Sequence, residues 1–218
     1  MLVVGGERGL GRSLVAAFAR AGADVAVAYD DARAGSHDDA RAAEDDVTRA
    51  GRAGLLLPTD LTDPQRCATV VADTVEHLGG LDVLVHAVTG ASAAPTLADV
   101  RPDTWHRTWS LLVGSVVHLV HAAAPHLTGG GRVLLTAEAP GATVSAVPPL
   151  DLAAAGGAVL ALGHSLARSL EASGTGVVCV VPLEGTDRAE VAATYVRLAA
   201  RSGTGAVDAV LAGRPVPL

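Results

Sequence analysis

The stretch Val3-Val4-Gly5-Gly6-Glu7-Arg8-Gly9-Leu10-Gly11-Arg12 decides the fold of this chain. A short apolar run, Leu2–Val4, breaks into glycines 5, 9 and 11 in a G-x-x-x-G-x-G spacing, and an amphipathic stretch over Arg12–Ala21 follows at once. Strand, glycine turn and helix in that order make the setting in which such a spacing binds a nucleotide. Gly5 permits the tight turn, Gly9 lets the backbone approach a pyrophosphate, and Gly11 lets the helix pack close to the strand. The helix start, with Leu10 on the same turn, presents free N–H groups to the anion.

Outward from this turn, short apolar runs alternate with longer amphipathic ones. Further strands are expected at Asp24–Ala28, Gly54–Leu57, Asp82–His86, Arg132–Thr136 and Val177–Val181. Helices are expected at Asp38–Ala50, Pro64–Leu78, Thr104–His126, Leu152–Ser173 and Arg188–Ala200, before a short apolar tail, Ala206–Leu211. Strands separated by helices of this length form βαβ units and a parallel sheet covered on both faces. The expected class is therefore α/β: a single doubly wound, Rossmann-type sheet of seven strands or slightly fewer, with residues 1–218 forming one domain.

Half of the 218 residues are hydrophobic, yet there are only one Phe, two Trp and two Tyr, so the core must be built from Ala, Val and Leu. A chain this long needs no metal or disulfide to fold. Cys67 and Cys179 are too far apart in sequence for a disulfide framework or a C-x-x-C zinc site. The net charge of −7 argues against nucleic-acid and anionic-membrane partners. No charged leader or long apolar stretch is visible, which makes the cytoplasm the expected location. The acidic run from Asp30 to Asp46 reads as a solvated helix face. His118 and His121 share a helix face without an acidic or Cys partner, so no metal is expected. All 16 basic residues are Arg, and the sequence holds no Lys and no Asn. That excludes lysine Schiff-base chemistry, a Walker-type phosphate loop and any mechanism needing a catalytic Lys or Asn.

Several landmarks follow the glycine turn in a fixed order: Gly22-Ala23-Asp24-Val25-Ala26-Val27, then Pro58-Thr59-Asp60-Leu61-Thr62-Asp63, then Gly80-Leu81-Asp82-Val83-Leu84-Val85. Trp105 and Gly130-Gly131-Arg132-Val133 complete the series. From end to end the chain resembles a short-chain dehydrogenase/reductase. The resemblance implies that Asp60, with Leu61, meets the adenine, that Ala87 lies in a drifted N-N-A-G segment, and that Pro182 and Thr186 stand at the nicotinamide end. It also implies that Arg8 takes a 2′-phosphate and that Tyr29 replaces the acid on the ribose, so weak binding of NADP(H) is expected.

The same resemblance locates the family's Asn-Ser-Tyr-Lys tetrad, and all four positions are changed. They read Leu112, Glu138, Asp151 and Ala155. The only tyrosines, Tyr29 and Tyr195, lie elsewhere, and without Lys or Asn no realignment restores the set. The substrate-covering segment after Val180-Val181-Pro182 is also short, because Leu183-Glu184-Gly185-Thr186-Asp187 passes almost directly into the last helix.

Three functions stay open. One is a non-catalytic subunit or partner of an active family member, as a homo-oligomer or heteromer joined through the small-residue helices around 111–121 and 153–163. The second is a repurposed dehydratase, isomerase or cyclase, in which Glu138 and Asp151 face one pocket as an acid/base pair, with His86 and His164 as further participants. The third is a protein that senses the dinucleotide.

Overall fold

The computed structural model describes residues 1–30, 35–90, 97–127, 129–137, 149–182, 185–201 and the strand backbone at 207–212. The chain starts with β1 (Leu2–Val4), α1 (Gly9–Arg20), β2 (Val25–Tyr29), α2 (Ser36–Arg49), β3 (Gly54–Pro58), α3 (Pro64–Leu78) and β4 (Val83–His86). It continues through α4 (Pro102–Trp109), α5 (Ser115–Ala123), β5 (Arg132–Thr136), α6 (Leu150–Leu170), β6 (Gly176–Pro182), α7 (Arg188–Ala199) and β7 (Val207–Ala212). The strands form one seven-stranded sheet in the order β3-β2-β1-β4-β5-β6-β7, and every pairing is parallel.

Each strand is a short Val/Leu/Ala run whose alternate residues face opposite layers. Leu2, Val4, Leu84, Val133 and Leu135 pack under α3, α5 and α6, while Val3, Val27, Val85 and Leu134 pack under α1 and α7. With so few aromatics, the second layer relies on Phe18 and Tyr195 for bulk. The Tyr195 hydroxyl lies 2.7 Å from Thr136 Oγ1, so its one polar atom is satisfied in the core, and burial pushes its pKa up.

Local chemistry sets the helix ends. Asp63 caps α3 by accepting from Gln65 N at 2.8 Å, Pro64 sits where its missing N–H costs nothing, and Gly79 ends the helix at φ 77°. Asp187 caps α7 in the same way through Ala189 N.

Two expectations need correcting. The helix expected over Thr104–His126 is divided: Ser110–Gly114 winds as a wide π turn between α4 and α5, and a tight turn at Ala124–His126 follows where Pro125 removes an N–H donor. The apolar tail expected at Ala206–Leu211 is a strand. β7 pairs with β6 from Val178↔Val207 to Pro182↔Ala212, and it gives the outer side of β6 a hydrogen-bonded partner.

The helical stretches Pro102–His126 and Leu150–Ser173 are long and apolar enough to cross a membrane, and both cover the sheet here. Of the large hydrophobic residues in these two stretches, Trp109, Val117 and Leu150 are exposed.

Candidate nucleotide-binding site

The strand order reverses direction between β1 and β4, and in such sheets a crevice opens beyond the carboxyl ends of the strands at that point. The glycine turn forms its floor. Gly5 stands at φ 77°, donates its N–H to Ala28 O at 2.8 Å, and lies so close to the strand beyond that a Cβ on it would meet Ala87 O at 3.0 Å. Gly11 is tighter still, since its Cβ would fall 1.9 Å from Gly5 O. Gly9 differs from both: at φ 55° its Cβ position has nothing within 4 Å. The residue before α1, Arg8, makes no side-chain cap bond, so nothing from the chain's own cap occupies the first-turn N–H groups. Open space above Gly9 and an uncapped helix start form a cradle that fits a pyrophosphate.

At the adenosine end, Asp60 follows β3 and is held in one orientation. Its Oδ1 accepts from Thr62 Oγ1 at 2.7 Å and Thr62 N at 2.9 Å, and these bonds hold the carboxyl below its ordinary pKa, helped by Arg107 and Arg66 nearby. Leu61 is buried in the core and Ala87 is buried beside the turn.

Tyr29 does not reach the crevice: it is 1% exposed, and its hydroxyl lies 2.7 Å from His37 Nδ1 on α2. The acid at this edge is Asp30, and Arg107 Nη2 on α4 stands 3.7 Å from its Oδ2. Arg8 pairs with the neighbouring Glu7 at 3.5 Å.

The tetrad positions have another character. Leu112, in the π turn, and the fully buried Ala155 join Val88, Gly90, Thr136, Ala137, Leu152, Gly156 and Val159 around a cavity of about 10 Å³, scarcely room for one water. Thr136 has the only side-chain hydrogen-bonding group among these lining residues, and its hydroxyl is engaged by Tyr195.

Asp151 does not line this cavity. It is 4% exposed; Oδ2 accepts from Thr108 Oγ1 on α4 at 3.0 Å and Oδ1 from Leu152 N at 3.0 Å. The next residue, Leu152, faces the cavity instead, because one step along a helix turns a side chain by about 100°. Its Cδ2 lies so close to Gly90 that a Cβ there would come within 2.6 Å. Glu138 lies outside the described residues.

The remaining candidates are dispersed. His86 is 2% exposed among Val4 and Leu135, with Nε2 lying 2.8 Å from Ser115 Oγ. Ser115 donates to Leu111 O, so the imidazole carries its proton on Nε2, and Nδ1 is left without a hydrogen-bond partner. His164 is exposed on α6, His118 is half-buried and His121 exposed. Among the described residues no group of three or more His, Cys, Asp or Glu could hold a metal. Pro182 ends β6, Thr186 lies beyond it, and α7 already begins at Arg188. Sequence reasoning missed two side chains, Leu152 and Arg107. Neither carries a local signal, because what each does depends on a partner far away in the chain.

The family described as enoyl-(acyl carrier protein) reductase matches residues 4–204. The uncharacterised oxidoreductase YhxD of Bacillus subtilis is 33% identical over 83% of this chain and 59% of its own. The uncharacterised oxidoreductase YghA of Escherichia coli is 31% identical over 83% and 60%. The chain thus spans about three-fifths of the length of the curated relatives it matches. Among solved structures, a short-chain dehydrogenase from Burkholderia cenocepacia in complex with NADP superposes with a TM-score of 0.86 at 27% identity, covering 96% of this chain and 94% of that one.

Proposed function

The chain belongs to the short-chain dehydrogenase/reductase family, and from that membership we propose that it is a non-catalytic subunit of these oxidoreductases that keeps an NADP(H) site. The observation that supports this reading is the apolar filling at two of the four tetrad positions, Leu112 and Ala155. Leu112 and Ala155 can neither give nor take a proton, and the cavity they line measures about 10 Å³. The residues that would hold the dinucleotide are the backbone of Gly5, Gly9, Leu10 and Gly11 at the pyrophosphate and Asp60 at the adenine. Pro182 and Thr186 would stand at the far end. A bound nicotinamide cofactor supplies hydride chemistry in relatives that have a proton donor. The alternative of an acid/base enzyme built on Glu138 and Asp151 draws no support from Asp151, whose two oxygens both accept hydrogen bonds.

Calorimetry together with an activity panel tests this reading. NADPH is expected to bind the wild type at sub-millimolar to millimolar concentration. It is expected not to bind Gly9→Asp, whose carboxylate would occupy the cradle. Reduction of ketones, aldehydes and enoyl thioesters is expected to stay below about 0.1 s⁻¹, far under ordinary enzymes. Faster turnover would require a proton donor that these residues do not provide and would overturn the reading.

The partner is a second copy or an intact family member in the cytoplasm, docked on the helices around 111–121 and 153–163. Val117 is 42% exposed there, and Gly157 and Ala161 are exposed on α6. Small apolar residues on two adjacent helices let a partner's backbone approach closely, and apolar surface of this kind is uncommon on monomers. Ala158 is partly packed on the core, so Ala161 gives the cleaner test. Ala161→Arg should leave the thermal midpoint unchanged and shift the mass from oligomer to monomer in light scattering. A wild-type monomer at micromolar concentration would remove this interface.

A further inference from the structure

We infer that Arg107, reaching over from α4, decides whether the adenosine end of the site accepts a 2′-phosphate or a free 2′-hydroxyl. The inference rests on the dinucleotide reading above and adds a residue from outside the βαβ unit that normally makes this choice.

Position carries the first part of the argument. Asp30 directly follows β2 and Asp60 follows β3, on paired strands whose last rung is Tyr29↔Pro58. This edge lies about 20 residues beyond the glycine turn, where dinucleotide folds place either an acid on the ribose hydroxyls or an Arg on a 2′-phosphate. Here one lip of the crevice holds both kinds of group. Asp30 is the acid, and the Arg107 guanidinium stands 3.7 Å from it while its charge also bears on Asp60.

Charge carries the second part. With Arg107 absent, the edge would present two carboxylates to an arriving phosphate and repel it. With Arg107 present, one guanidinium offsets Asp30 and can turn to the ligand. The contact is long and the two side chains are 64% and 33% exposed, so the pair contributes little to stability and yields readily. A dianionic phosphate takes a guanidinium through two parallel hydrogen bonds, which a single distant carboxylate oxygen does not match. Among the described residues, Arg12 on α1 donates to Asp46 at 2.9 Å and Arg8 faces the buried Glu7 at 3.5 Å. Arg107 stands at the adenosine edge itself, beside Asp30 and with its charge bearing on Asp60.

The test titrates 2′,5′-ADP and 5′-AMP, which differ only in the 2′-phosphate, into the full-length wild type, Arg107→Ala and Asp30→Asn by calorimetry. Arg107→Ala should bind 2′,5′-ADP at least tenfold more weakly and 5′-AMP within twofold of wild type. Asp30→Asn should bind 2′,5′-ADP severalfold more tightly. Equal losses on both ligands, or no loss on either, would overturn the role of Arg107 and leave nucleotide binding standing. A wild type that binds neither fragment nor NADPH at millimolar concentration would overturn both readings. Arg107 is exposed at the surface, so an unchanged thermal midpoint in the variant separates loss of binding from loss of fold.

Discussion

Gly11→Ala is expected to remove about 4 kcal/mol or more of stability, the tightest backbone clash that a single added methyl makes among the described glycines. The added Cβ would stand 1.9 Å from Gly5 O, 2.8 Å from Gly5 C and 3.0 Å from Gly6 Cα. All three are backbone atoms, so no side chain can rotate away, and either α1 lifts from the turn or the turn opens. Both routes also disturb β1, whose three buried residues sit in the middle of the sheet. A backbone clash of this kind costs about 4 kcal/mol or more, against a total stability of about 5–15 kcal/mol for an ordinary domain. Urea titration at neutral pH measures it. A loss under about 1 kcal/mol would mean that α1 is not seated on the turn. Gly9→Asp makes the contrast, since its Cβ enters open space at φ 55°, a left-handed conformation that Asp tolerates at about 1 kcal/mol. One glycine is there for packing and the other for a ligand.

The second large effect lies in the acid range. Burial pushes the His86 imidazole down to about 4 from its ordinary value of 6.5. Above the unfolded value the ring is neutral in both states and costs nothing. As pH falls from 6.5 towards 4, the unfolded chain takes up a proton that the folded chain refuses, and stability drops by about 1.4 kcal/mol per unit. The whole window amounts to about 3 kcal/mol. The aspartates held low, Asp24, Asp46 and Asp60 among them, release their contribution only below the ordinary carboxylate range. Comparing pH 7.5 with pH 5.0 therefore leaves those carboxylates out, and the difference between two proteins cancels the Met1 amino group, which burial also holds below its ordinary pKa. The wild type should lose about 2 kcal/mol more over that interval than His86→Leu, which keeps the apolar contacts with Val4 and Leu135. Parallel slopes in the two proteins would show that His86 titrates normally.

The sheet was legible in the sequence because its signals are local. Leu2–Val4, Arg132–Thr136 and Pro64–Leu78 are bounded by glycines, a proline and an N-capping aspartate, and the observed elements begin and end on those same residues. β7 was not legible as a strand, because a short apolar run declares its pairing only when β6 lies beside it. The π turn at Ser110–Gly114 leaves the helical pattern of apolar residues intact and so escapes a periodicity argument. At the site, the glycines could be read and the side-chain directions could not. Asp151 and Leu152 are neighbours in sequence, yet one is bonded to Thr108 and the other fills the cavity beside Gly90. The meeting of Arg107 with Asp30 depends on how α4 lies across the strand ends, which no spacing within either segment encodes.

The position of β1 bears on how this chain reaches its fold. Its three residues pair with β2 on one side and β4 on the other, and no two strands in the sheet are joined by a hairpin. Every rung therefore closes a loop that contains at least one helix, which raises contact order and puts the expected folding time at the slow, roughly millisecond-to-second end for its size. A strand near the start of the chain cannot be held on both flanks until His86 has left the ribosome. Until then its apolar residues and open edges have no settled partner. Slower synthesis through the stretch from β1 to β4 should raise soluble yield, while a chain released before β4 is complete should aggregate.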